Sequence, residues 1–155
     1  MELLESIIIG AVFLVPWFIA ILGYFGLLEI RALCSHCPHY AEPGRILKCW
    51  ANYGVPKLWK YHPSPMSGLE KVLFLGGLVV LWGYPLAFLL LGMQWFLLAV
   101  YTLTTAGAFM TLKIGMCSQC MNFACPLNAV EDAVRREFFR RNPVVAAAWG
   151  VDVEG

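Results

Sequence analysis

Charge is the scarce ingredient of this sequence. Only 14% of its 155 residues are Asp, Glu, Lys or Arg, where an average soluble domain carries about 25%. With 60% hydrophobic residues, the chain has too little polar surface for an ordinary soluble globule. It is also too apolar, and too nearly neutral at a net charge of +1, to be disordered. Its longest uncharged stretches hold no His either, which argues against an ion pump or a proton-coupled transporter. All three histidines, His36, His39 and His62, fall within one connecting segment, so a bis-His haem inside a membrane is excluded. C-x-x-C-H does not occur, and covalent c-type haem is not expected. No Lys or Arg precedes Arg31; a cleaved signal peptide would need a basic start.

What the sequence does have is long hydrocarbon runs. Ile7–Leu28 contains 22 consecutive uncharged residues, which as a helix reach about 33 Å and cross a core of about 30 Å. Val72–Leu112 contains 41; as one helix these would reach about 62 Å, so they must fold back. Gly92-Met93-Gln94 is the one polar, helix-weakening cluster midway. The expected fold is an all-α integral membrane protein with three transmembrane helices, 7–28, 72–91 and 95–112, in one domain over 1–155. Gly23, Gly26, Gly76, Gly77 and Gly107 are read as close-packing positions between helices, and Thr102, Thr104 and Thr105 as groups that bond across helices or back to their own carbonyls.

The basic residues are one-sided. Arg31, Arg45, Lys48, Lys57, Lys60 and Lys71 occupy the 31–71 loop, and Lys113, Arg135, Arg136, Arg140 and Arg141 the 113–155 tail. The N-terminus and the 92–94 turn have none. The positive-inside rule places the loop and tail in the cytoplasm and the N-terminus outside, in a cell inner or plasma membrane.

All six cysteines lie on that same side, as Cys34, Cys37, Cys49 and Cys117, Cys120, Cys125. Each group opens with C-x-x-C. Beyond the spacing, Cys34–Tyr40 and Cys117–Phe123 share the pattern C-S-(H/Q)-C-x-(H/N)-(Y/F), offset by 83 residues. Each copy follows a basic residue and a helix running from outside to inside. This is a short internal repeat. If the two helices are neighbours, the two turns face each other.

Paired C-x-x-C turns suit a soft-metal centre, and a reducing cytosol keeps thiols available for one. The candidate ligands are Cys34, Cys37, Cys117 and Cys120, then Cys49 and Cys125, with His36 and His39 able to complete a zinc-like set beside the first group. A joint four-cysteine site, two three-cysteine tripods, or two centres exchanging ligands all satisfy the spacing. An iron–sulfur cluster is favoured over zinc, because six sulfurs exceed what one zinc needs and Cys-Pro occurs at both Cys37 and Cys125. The run C-x-x-C-x4-C-P at Cys117–Pro126 locally resembles the ends of bacterial ferredoxin cluster runs and the Cys-Pro elements of membrane quinol-oxidising iron–sulfur proteins. Its spacing departs from both.

Two flanking segments read as short amphipathic helices. Pro43–Tyr53 puts Ile46, Cys49, Trp50 and Tyr53 on one helical face and is expected to lie at the lipid interface. Pro126–Arg141 is expected to form a helix that starts at Pro126, placing Cys125 at its N-terminus, and to end at Asn142-Pro143. The basic residues fit anionic lipid rather than nucleic acid. Val144–Trp149 is apolar and expected to be exposed unless a partner covers it. The functional expectation is an electron-transfer or docking subunit that works with other membrane or cytoplasmic redox subunits. A zinc-stabilised assembly subunit and a membrane thiol oxidoreductase are the alternatives.

Overall fold

A computed structural model describes residues 2–49 and 51–152, with side chains from Gly10 onward and at Ile8. Among them all regular structure is helical. Helix α1 (Glu2–Gly23) runs through a π-helical turn, Tyr24–Leu28, into α2 (Glu29–Ala32), and α3 (Pro38–Ala41) is one turn long. The long helices α4 (Gly68–Leu91) and α5 (Trp95–Thr111) follow, and α5 also ends in a π-helical turn, Leu112–Cys117. Two short helices, α6 (Asp132–Arg141) and α7 (Pro143–Ala148), close the chain.

Three continuous helical stretches are long and apolar enough to cross a membrane: Gly10–His36, Gly68–Leu91 and Trp95–Cys117. Almost none of their surface is buried within the chain; Leu22 is 71% and Leu91 80% exposed. Water would not tolerate that display, whereas lipid requires it. The fold-back falls at Gly92–Gln94 as expected, with Met93 at φ 51° in the left-handed region.

Helix α4 lies between α1 and α5, and among the described residues α1 and α5 make no close approach. The two helices whose adjacency would make the turns face each other are therefore not neighbours. Aromatic side chains stitch the helices together. Trp17 Nε1–H donates to the Leu81 carbonyl at 3.0 Å, the Tyr24 hydroxyl to Phe74 at 2.7 Å, and the Tyr84 hydroxyl to Phe13 at 3.1 Å. Tyr101 donates to Trp82 at 2.9 Å and joins α5 to α4. In lipid a lone N–H or O–H has no water to turn to, so each is placed against a carbonyl. Thr102 and Thr104 bond back to Leu98 and Val100. Of the expected packing glycines only Gly77 serves: an added methyl would collide with the buried Tyr24 ring. At Gly23, Gly26, Gly76 and Gly107 it would meet open space.

Two helix expectations fail. Residues 43–53 form an irregular hairpin: Leu47 N–H donates to Val55 at 2.8 Å, Gly54 N–H to Leu47 at 3.0 Å and Lys57 N–H to Arg45 at 2.8 Å. Gly44 and Gly54, at φ 114° and 87°, allow the bends. Alternation replaces the helical face, with Ile46 exposed and Leu47 buried. Trp50 lies outside the described residues. Helix α6 starts at Asp132, not Pro126, because Asn128 folds the preceding segment back. Its Nδ2 donates to Cys120 O at 2.7 Å and Asn122 O at 3.1 Å, while its Oδ1 accepts Val130 N–H. Cys125 therefore sits in a loop. The Val144–Trp149 stretch is largely covered from within: Ala146 is buried, and Trp149 packs on Phe139 and donates to Pro63 O at 2.8 Å. Val144 stays exposed.

Replacing Gly77 by Ala should destabilise the detergent-solubilised protein by about 1–3 kcal/mol, the usual cost of overpacking. Gly76→Ala, one residue away, should be nearly silent. Thermal unfolding of the two variants side by side checks the pair; equal loss would disprove the close approach.

Candidate functional site

The first C-x-x-C turn hangs from the end of α2 and is held from three sides. Glu70, in the first turn of α4, closes a capping box with Ser67. The same carboxylate pairs with Arg31 at 3.0 Å and lies 3.4 Å from Nε2 of buried His36. His36 Nδ1 meets Ser64 O at 2.7 Å, and His62 N–H donates to Ser35 O at 2.8 Å. His36 thus serves this junction between the turn and α4. His39 pairs through Nδ1 with Glu42.

The second turn repeats the geometry of the first. Each copy follows an apolar helix, the first through a π-helical turn and the short α2, the second directly from one. In each, the serine hydroxyl donates to the carbonyl four residues back, Ser35 to Arg31 and Ser118 to Ile114. In each, the second cysteine sulfur accepts an N–H from two residues on, Cys37 from His39 and Cys120 from Asn122. Asn122 also joins the copies, because its Nδ2 donates to the buried Leu33 carbonyl at 3.0 Å. The two turns meet although α1 and α5 do not: beyond α5, Ala124 packs in one buried cluster with Leu33 and with Phe74 of α4.

A cavity of about 230 Å³ opens where they meet. Cys34, Cys37, Cys49 and Cys120 line it, together with Glu29, His39, Asn52 and Asn122. Cys117 and Cys125 do not; Cys117 lies close enough to both Cys120 and Cys125 to help raise their thiols, and Cys120 likewise helps raise Cys125. Amide hydrogens point at the sulfurs throughout. Asn52 N–H donates to Cys49 at 3.4 Å and Asn52 Nδ2 to Cys34 at 3.5 Å. Cys125 accepts from Leu127 and Asn128 N–H. All six cysteines are free.

Burial pushes the Cys37 thiol up to about 12, opposed by the His39 N–H and reinforced by Cys120 and Cys49. Burial likewise raises Cys120, and takes Cys125 to about 11. No Lys or Arg lines the cavity. Cys37, Cys120 and Cys125 therefore hold their protons well above the ordinary thiol range.

By chemistry alone the lining offers soft donors: several sulfurs, with N–H groups aimed at some of them and no Lys or Arg. Among the described residues no three His, Cys, Asp or Glu side chains draw together tightly enough to hold one ion. Of the sequence candidates, the structure brings Cys34, Cys37, Cys49, Cys120 and His39 to one cavity, sets Cys117 and Cys125 behind it, and turns His36 toward Glu70. Sequence reasoning passed over Glu29, Asn52 and Asn128. Glu29 had a signal, as the first charge after the 22-residue run; the two asparagines had none, since their roles depend on distant chain. No family model, curated protein or solved structure matches this chain.

Because the folded chain holds these protons above the ordinary thiol range, the stability they contribute is complete below about pH 8.5. It is lost as pH rises through about 11 at Cys125 and about 12 at Cys37. Metal-free protein should accordingly alkylate slowly at both cysteines at pH 8, with rates still climbing above pH 10. Mass spectrometry of iodoacetamide-treated samples reads this directly; a plateau by pH 9 would contradict the burial.

Proposed function

We propose that this chain is a membrane-anchored iron–sulfur protein that relays electrons between a soluble or peripheral redox partner and a membrane complex. The observation that carries this reading is the single cavity lined by cysteines from both repeat copies and from the intervening hairpin, with no Lys or Arg to neutralise them. Buried thiolates without a cation are costly, and a cluster supplies the positive charge. Cys34, Cys37, Cys49 and Cys120 are the proposed ligands, with Cys117 and Cys125 as the adjoining pair. Six cysteines exceed what one zinc needs, which favours a multi-atom group. Such a cluster takes up and returns single electrons; the chain's own residues bind it, direct amides at its sulfurs and shield it from water.

The spans themselves hold no further redox group or ionisable relay, so electrons cannot cross the bilayer through this chain alone and a partner subunit is part of the proposal. The one-sided Lys and Arg support a cytoplasmic position for the cysteines. The tail arginines are partly self-neutralised, since Arg140 and Arg141 close on Glu137 at 2.7 and 2.6 Å. The loop lysines are the stronger candidates for anionic lipid. A zinc-stabilised assembly subunit is the second reading, favoured by His39 on the same cavity.

Anaerobic purification from membranes should yield iron and acid-labile sulfide in equal amounts, with broad visible absorbance that bleaches on reduction. Cys37→Ser and Cys120→Ser should each lose most of it. Zinc without sulfide would establish the second reading instead. In closed vesicles, an impermeant thiol reagent should reach metal-free cysteines only from the cytoplasmic face; labelling solely from outside would overturn the orientation.

A further inference from the structure

Asn52, in the hairpin folded over the first turn, donates to two of the cavity's sulfurs at once. Its backbone N–H reaches Cys49 at 3.4 Å and its Nδ2 reaches Cys34 at 3.5 Å. The hairpin itself holds the backbone there: Asn52 O accepts Val55 N–H at 3.3 Å, and buried Leu47 bonds to both Val55 and Gly54. The hairpin thus stands without the bond from Nδ2, whose distinct effect falls on the Cys34 sulfur. The second copy has no such bond among the described residues. There the Asn128 carboxamide goes to the Cys120 carbonyl oxygen, and the Cys120 sulfur accepts the Asn122 backbone N–H. A neutral thiol is a weak acceptor, whereas a hydrogen bond to a charged acceptor is about twice as strong. A side-chain amide aimed at Cys34 therefore gains most when that sulfur carries the negative charge of a metal ligand.

We propose that Asn52 is a positioning residue: by donating to the Cys34 sulfur it raises the reduction potential of the metal group that the cysteines hold. This rests on the reading above and extends it. Uptake of one electron from the reduced partner protein increases the negative charge on the ligand sulfurs. An N–H aimed at one of them stabilises the reduced form more than the oxidised form, and such bonds are among the factors that set cluster potentials. The partner loses the electron and the metal group gains it; no bond to Asn52 forms or breaks. The tuning side chain belongs to the hairpin, the part of the cavity wall that neither repeat copy supplies.

The test uses the full chain in detergent, reconstituted anaerobically with ferrous iron and sulfide and titrated with dithionite against redox dyes. Asn52→Leu removes the Nδ2 donor at similar size and leaves the backbone N–H on Cys49. It should keep wild-type iron and sulfide and shift the EPR signal of the reduced form. Its equilibrium constant for reduction should fall about tenfold, a drop of about 59 mV for one electron. Val55→Ala, which loosens the same hairpin while leaving the Asn52 bonds in place, should keep the wild-type potential. An unchanged potential in Asn52→Leu would overturn the positioning role and leave the cluster reading standing. An equal drop in Val55→Ala would also overturn it, by tracing the effect to hairpin packing. Loss of iron from Asn52→Leu would make Asn52 a structural residue instead. If wild-type protein takes up neither iron nor sulfide, both proposals fall together.

Discussion

The Glu70 carboxylate is where the membrane part of this protein and its cysteine-bearing end are joined. It caps α4 through Ser67, pairs with Arg31 at the end of the first apolar stretch, and faces buried His36 inside the first C-x-x-C turn. Without it the turn would keep its bonds to Ser64, His62 and Asn122 but lose its charged link to α4. With it, the turn is referenced to α4, the helix that also touches α5 and so governs where the second turn emerges. Asn122 completes the arrangement by tying the second turn to the Leu33 carbonyl of the first. A charged junction at one end of α4 and a neutral one beneath it thus determine the relative placement of two turns 83 residues apart.

The helices follow a different rule from the end they support. Between them there is no hydrophobic gain to collect, because lipid is as apolar as their side chains. What holds them is the need of each Trp N–H and Tyr O–H for a carbonyl, and one close approach, Tyr24 on Gly77. At the cysteine-bearing end, water is excluded by Ile30, Leu47, Tyr40 and Phe139, and the cost shifts to ionisation. Several thiols and a carboxyl share one cavity that no Lys or Arg lines. That imbalance is the chemical content of the site and the reason a positively charged occupant is the natural reading.

Much of this was legible in the residues. Two uncharged runs and one polar break specify three helices because hydrocarbon length must match bilayer thickness. The repeated C-S-x-C pattern was legible as a repeat, and its serine and amide geometry recurs in the fold. The failures are equally physical. Pro43–Tyr53 carries a helical spacing of apolar residues, yet Gly44 and Gly54 bend it into a hairpin that buries Leu47. Pro126 is a good helix opener, yet Asn128 captures the carbonyls of Cys120 and Asn122 and delays α6 to Asp132. Local preference lost both times to hydrogen bonds made with chain that folds against it.

The sequence by itself determined that the chain has three stretches long and apolar enough to cross a membrane, that its cysteines fall in the same two segments as its Lys and Arg, and that they come as two like turns. These are consequences of composition and local spacing, which need no knowledge of distant contacts. Tertiary structure alone decided which sulfurs share a cavity. It selected Cys34, Cys37, Cys49 and Cys120, drew in Glu29 and Asn52, and left Cys117 and Cys125 behind. That choice depends on α4 standing between α1 and α5 and on a hairpin folded over the first turn. Such arrangements are settled by long-range packing, which no spacing along the chain encodes.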